Sequence, residues 1–224
     1  MAKASSNEAR KLARLSSDCS FLLTHMIRQN DGRTDKESKD ILRSILGISE
    51  KQPSPNLKAF PVGWYSVATN ANVYNPKTGK FDGNGNVNAV CFTESTLSGL
   101  RAHREVFSVQ YGIAFDRDRL FQKGANPCLN IREDLLKISV RINGEQYARH
   151  LYNFVPLELH PYVNIISQGF DATHEREWRF VGDMKFRLSE IRFIFCPEEE
   201  FSIFSSIQKK GAPTLFDLEW LGRI

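Results

Sequence analysis

The sequence predicts an α+β fold, and two observations carry the prediction. Strand-like apolar runs and helix-patterned segments interleave without the regular alternation of a doubly wound sheet. No glycine-rich phosphate loop of either common type is present. The chain of 224 residues, 41% hydrophobic and 25% charged, is long enough to bury a substantial core. We expect one domain over 1–224: residues 1–18 as an N-terminal helical extension and 19–224 as the body.

The elements follow in order. Residues 5–17 pattern as a short amphipathic helix capped by Ser5 or Ser6, with Leu12 and Leu15 on one face. CSFLLTHMI, 19–27, reads as a first buried strand. DKESKDILRSILG, 35–47, reads as a helix: Asp35 caps it, Ile41, Leu42, Ile45 and Leu46 form its stripe, and Gly47 ends it. The proline-bearing stretch 49–63 is loop. Residues 69–87, rich in Asn and Gly, form a long turn-prone loop of the kind that is functional or mobile. VNAVCF, 87–92, is a strand, and 93–107 a short helix capped by Thr93 or Ser95. VQYGIAFD, 109–116, is a strand by its β-branched and aromatic content, followed by a brief helix in 116–125 closed by Gly124. NPCLNI reads as a strand, whereas 134–160 supports no single reading. RFVGDMKF (179–186) and EIRFIFCP (190–197) are late strands. Residues 198–211 read as a helix with acids in the first turn and lysines in the last; TLFDLEWLGRI reads as a final strand.

Charge and cysteine usage bound the function. The net charge of +4 permits a nucleic-acid partner without requiring one. Arg101, Arg104, Arg117, Arg119 and Lys123 form a basic region that could follow a phosphate backbone, although such residues more often make a solvated face. Cys19, Cys91, Cys128 and Cys196 include no C-x-x-C pair and no histidine at metal-ligand spacing. Buried thiols in a reducing cytoplasm fit this pattern. No apolar segment reaches membrane-spanning length, and the start lacks the apolar core of a secretory signal.

The densest chemistry lies in FDATHEREWRFVGD, 170–183, where Glu175 and Glu177 precede a strand. Strand alternation puts both acids on one face, with Arg176 and Arg179 available to neutralise them, and a solvated pair is the ordinary outcome. HEREW is not the start of H-E-x-x-H, because Trp178 stands at the position where the second histidine is needed. A metal-dependent nuclease fits poorly, since Arg179 cannot act as a base. The third reading is cleavage of the nicotinamide–ribose bond of NAD. A carboxylate near the ribose stabilises an oxocarbenium-like charge, and a second acid orients or deprotonates the acceptor.

LTHMI, VCFTESTL with His103, YGIAFDRDRLFQKGANPCLNI and HEREWRF together resemble the AbiGi-like abortive-infection family of bacterial phage-defence proteins, over most of residues 22–196. In that family a Cys-Phe-Thr-acid block precedes a His, a Tyr-Gly-Ile-x-Phe strand and a late acid-Arg-Glu-aromatic-Arg block. The layout is also similar, more loosely, to ADP-ribosyltransferases of the DarT-like kind. That second resemblance implies split antiparallel sheets around a cleft, with N-terminal helices. It implies Glu177 as catalytic carboxylate and Glu175 as auxiliary acid. Thr24 and His25 would hold the adenosine-side ribose or the nicotinamide region of NAD, and Phe92 and Thr93 would line the nicotinamide pocket; by its residue type alone, Tyr111 stacks on nicotinamide or packs in the core. NAD is then a substrate, no metal is needed, and the acceptor is a nucleic acid, a protein or water. Arg28 and Arg101 are the candidates for the arginine such toxins use. As the alternative to a transferase effector, the family resemblance implies a non-catalytic role, as antitoxin or partner-binding member of a toxin–antitoxin pair.

Overall fold

The computed structural model describes residues 20–29, 32–61, 73–75, 80–82, 88–132, 134, 140–143, 145–147, 157–166, 173–208 and 213–223. The helix expected over 5–17, and Cys19, lie outside them. In chain order the strands are β1 (Leu22–Ile27), β2 (Asn56–Leu57), β3 (Phe60–Pro61), β4 (Val73–Asn75), β5 (Lys80–Asp82), β6 (Asn88–Glu94), β7 (Tyr111–Asp116) and β8 (Asn126–Pro127). They continue with β9 (Leu129–Arg132), β10 (Val140–Ile142), β11 (Glu145–Tyr147), β12 (Val163–Ile166), β13 (Glu177–Val181), β14 (Met184–Lys185), β15 (Ile191–Phe195) and β16 (Thr214–Phe216). The α-helices are α1 (Asp35–Ile45), α2 (Leu97–Phe107), α3 (Arg117–Gln122) and α4 (Phe201–Phe204). Pairing is mainly antiparallel and the helices are few, so the α+β class holds.

The chain forms two compact units: the first comprises Met1–Leu57, Phe92–Gly124 and Lys185–Ile224, the second Lys58–Cys91 and Ala125–Met184. In the first, strands run in the order β16-β15-β7-β1-β6, with only β15–β16 parallel. β7 is central and buried on both faces. Its register with β1 sets Leu23 against Phe115 and Ile27 against Tyr111, so those side chains share one face. On that face Phe115 meets Phe92 and Phe186 edge-on, with centroids 6.0 and 5.1 Å apart. The other face carries Ala114, packed with Leu100 of α2, Phe195, Leu218 and Leu221. Gly112 is required in the middle: a Cβ there would sit 2.7 Å from the backbone oxygen of His25.

Local chemistry fixes the helix ends, not always at the expected residue. Thr34, rather than Asp35, caps α1. It forms a capping box in which the Glu37 N–H donates to Thr34 Oγ1 (3.3 Å) and the Thr34 N–H donates to Glu37 Oε2 (2.8 Å). Thr96 caps α2 by accepting from the Gly99 N–H at 3.1 Å. The expected caps are engaged elsewhere, Thr93 in β6 and Ser95 with Thr24. Residues 198–207 do not form the continuous helix expected over 198–211. A single α-turn, α4, sits between 3₁₀ turns at Glu198–Glu200 and Ser205–Ile207. The final strand is cut to Thr214–Phe216. Buried Asp217 then accepts from the N–H groups of Glu219 (2.8 Å) and Glu198 (2.9 Å), turning the chain into a 3₁₀ segment, Leu218–Arg223.

In the second unit β3 and β13 pair with β6, and β13 pairs antiparallel with β8. β12 and β9 make a two-stranded parallel sheet. The stretch expected as a long loop over 69–87 contains an antiparallel ribbon, β4–β5, and the unassigned stretch 134–160 contains another, β10–β11.

Candidate functional site

Glu177 opens β13, and strand alternation gives it Arg179 as its neighbour on the same face. The expected partnership with Glu175 does not form on that strand. Glu175 ends a 3₁₀ turn, Thr173–Glu175, and Arg176 takes a left-handed backbone with φ of +44°. The period-2 alternation therefore begins only at Glu177, and the two acids do not share a strand face.

Arg179 is 2% exposed, and all five of its N–H groups have acceptors. Nε donates to Glu177 Oε1 at 2.7 Å, and Nη2 donates to Glu177 Oε2 at 3.1 Å and to Asn164 Oδ1. Nη1 donates to the carbonyl oxygens of Pro161 (2.7 Å) and Val163 (3.3 Å). Asn164, on β12, closes the circuit by donating from Nδ2 to Glu177 Oε2 at 2.9 Å. Cys91 on β6 adds a thiol donor to the same carboxylate. A carboxylate has about four lone-pair sites, and here the protein's own donors take them. The Glu177 side chain is 11% exposed.

The electrostatics follow from this packing. Burial alone would raise the pKa of Glu177. The hydrogen bonds and charge of Arg179, helped by Cys91 and Asn164, outweigh burial and hold the carboxyl below its ordinary value. Burial works against the Arg179 charge in turn, but Glu177 raises its pKa further. Burial, then the negative charge of Glu177, drives the Cys91 thiol far up. Burial lifts the Cys128 thiol to about 12, with Arg179 pulling against it. Both thiols are protonated at neutral pH and inert as nucleophiles.

The other candidates lie in the first unit. Thr24 is 1% exposed, and its hydroxyl lies 2.6 Å from Ser95 Oγ and donates to the Thr93 carbonyl at 3.2 Å, forming a rung between β1 and β6. Thr93 is the residue opposite it in the register. His25 faces the other side of β1, with its ring 6.0 Å from that of Phe92. Phe92 and Tyr111 are each 1% exposed. The Tyr111 hydroxyl donates to Glu200 Oε2 at 3.0 Å, while Lys39 binds Glu200 Oε1 at 2.9 Å. A ring buried this far has no face left for nicotinamide, so Tyr111 takes the packing half of its expected choice. Within the first unit the Phe92 and Tyr111 rings are enclosed and the Thr24 hydroxyl is already bonded. His103 is buried beside Phe107, with centroids 5.4 Å apart.

The basic region is largely neutralised. Arg101 pairs with Glu105, Arg104 with Glu219, Arg117 with Glu94 and Lys123 with Glu190. A phosphate backbone would have to displace these carboxylates. Among the described residues no cluster of three or more His, Cys, Asp or Glu could hold a metal, and no helix is long and apolar enough to cross a membrane.

Asn164 escaped the sequence reading. Its signal was a lone amide within the apolar run PYVNII, since a buried amide requires partners. No protein-family model, no curated protein and no solved structure matches the chain.

Proposed function

We propose that the protein is a bacterial phage-defence protein of the abortive-infection type that works by engaging a macromolecular partner, as antitoxin or sensor, and not by turnover at Glu177. The defence assignment rests on the resemblance of its ordered motifs. The non-catalytic assignment rests on one observation: the Glu177 carboxylate is enclosed in a closed circuit with Arg179 and Asn164 that already satisfies it. A catalytic carboxylate needs a lone pair free for substrate and an uncompensated charge facing the reacting sugar. Here a guanidinium compensates the charge at 2.7 Å.

A second reading is an NAD-dependent ADP-ribosyltransferase-like effector with split antiparallel sheets around a cleft, acting on a nucleic acid, a protein or water. One observation favours it: Glu177 is held ionised at the head of a strand in a mainly antiparallel α+β fold.

The test incubates the purified protein with labelled NAD, with and without cell lysate, and separately co-expresses it with its neighbouring gene. The partner-binding reading expects no NAD consumption and no transferred label, together with rescue from a toxic neighbour. NAD consumption by the wild-type protein that disappears in a folded Glu177→Gln variant overturns it in favour of the transferase.

A further inference from the structure

The closed circuit at Glu177 reaches beyond β13. Through Nη1, Arg179 grips two backbone carbonyls, Pro161 and Val163, on the segment that runs from the 3₁₀ turn Leu157–Tyr162 into β12. Through Nη2 it grips the Asn164 side chain on the same segment. The segment is otherwise held by its pairing with β9 and by the burial of His160, Val163 and Asn164. β12 is four residues long and pairs only with β9 among the described residues, and a two-stranded sheet is marginal alone. Pro161, inside the turn, has no N–H to give. The guanidinium can make all these bonds at once only in one orientation, and the Glu177 carboxylate fixes that orientation by binding Nε and Nη2 together.

We propose that Glu177, Arg179 and Asn164 form a conformational latch: the charge on Glu177 holds Arg179 in the one pose that grips residues 157–166, and cancelling that charge releases the segment while the sheet of the first unit stays folded. The latch is independent of whether the protein is an enzyme. Among the described residues, the titratable groups facing Glu177 are Arg179 on its own strand, Cys91 on β6, and Cys128 between β8 and β9, whose N–H donates to the Glu177 carbonyl at 2.8 Å. Both thiols are neutral, so Arg179 is the one opposing charge among them.

Amide hydrogen exchange on the full chain at neutral pH tests the latch, comparing residues 157–166 with β7. In Glu177→Gln, exchange over 157–166 speeds up by at least about tenfold more than exchange over β7, the worth of one lost charge-assisted bond. Arg179→Lys keeps the charge but lacks the planar fork, and it gives the same local release. Glu177→Met/Arg179→Met removes both charges together. It melts near the wild type, because an apolar pair can replace a buried ion pair, yet leaves 157–166 fast-exchanging. Wild-type protection of 157–166 in the double variant overturns the latch. So does a rise in exchange over β7 equal to that over 157–166. Should Glu177→Gln fail to fold, the double variant decides alone.

Discussion

Replacing Glu177 with Gln keeps the side-chain shape and removes one charge. The amide retains one acceptor oxygen and turns an NH₂ group toward the donors of Arg179 and Asn164, which lie within 2.7–3.1 Å in the wild type. Arg179, 3% exposed in its side chain, is left with an uncompensated buried charge. Removing one member of such a buried pair costs about 3–5 kcal/mol. For a chain of this size each kcal/mol moves the melting temperature by about 2–4 °C, so the expected fall is roughly 6–20 °C. The assay is thermal unfolding at pH 7 by circular dichroism or calorimetry. Glu105→Gln serves as the comparator, because the Arg101–Glu105 pair is half exposed on both sides and is worth at most about 1 kcal/mol. A Glu177→Gln variant melting within about 2 °C of wild type refutes the structural role. The carboxylate would then be dispensable to the fold, and the transferase reading would regain its central residue.

Three further outcomes follow from the same geometry. Because the folded pKa of Glu177 is depressed, its stabilisation is present above the ordinary glutamate value of about 4.3 and is lost as pH falls through the folded pKa; acid titration of Glu177→Met/Arg179→Met therefore shows a shallower loss of stability below that value, and an acid limb identical to wild type counts against the ion pair. Arg176→Gly relieves a left-handed backbone at φ +44°, which costs a non-glycine residue about 1 kcal/mol; its melting temperature rises by about 2–4 °C, and a fall instead assigns the exposed Arg176 side chain a contact of its own. Tyr111→Phe removes the donor to Glu200 Oε2 and lowers stability by about 1–2 kcal/mol in denaturant melts, whereas a neutral or stabilising change shows that this hydrogen bond does not hold the core.

What was legible in the sequence was whatever local periodicity and local caps control. The runs LLTHMI, NAVCFTE, YGIAFD and IRFIF became strands because β-branched and aromatic residues fit a pleated, enclosed surface. The stripe of Leu42 and Ile45 made α1 because a 3.6-residue period gives a helix one buried face. Glu177 stood out because it and Glu175 stand one residue apart just before an apolar run. The partner that Glu177 takes was not local. Glu175 was removed from the face by a left-handed turn at Arg176, and Asn164 was brought to it from another strand by chain topology. Burial told the same story for Phe92 and Tyr111, whose residue types suit equally a ligand pocket and a core; their neighbours across β1, β6 and β7 enclosed them. Sequence thus determined which segments become strands or helices and which residues carry charge, because those depend on neighbours along the chain. Tertiary structure decided which carboxylate is satisfied and by what, because hydrogen-bond partners of a buried charge are chosen in space.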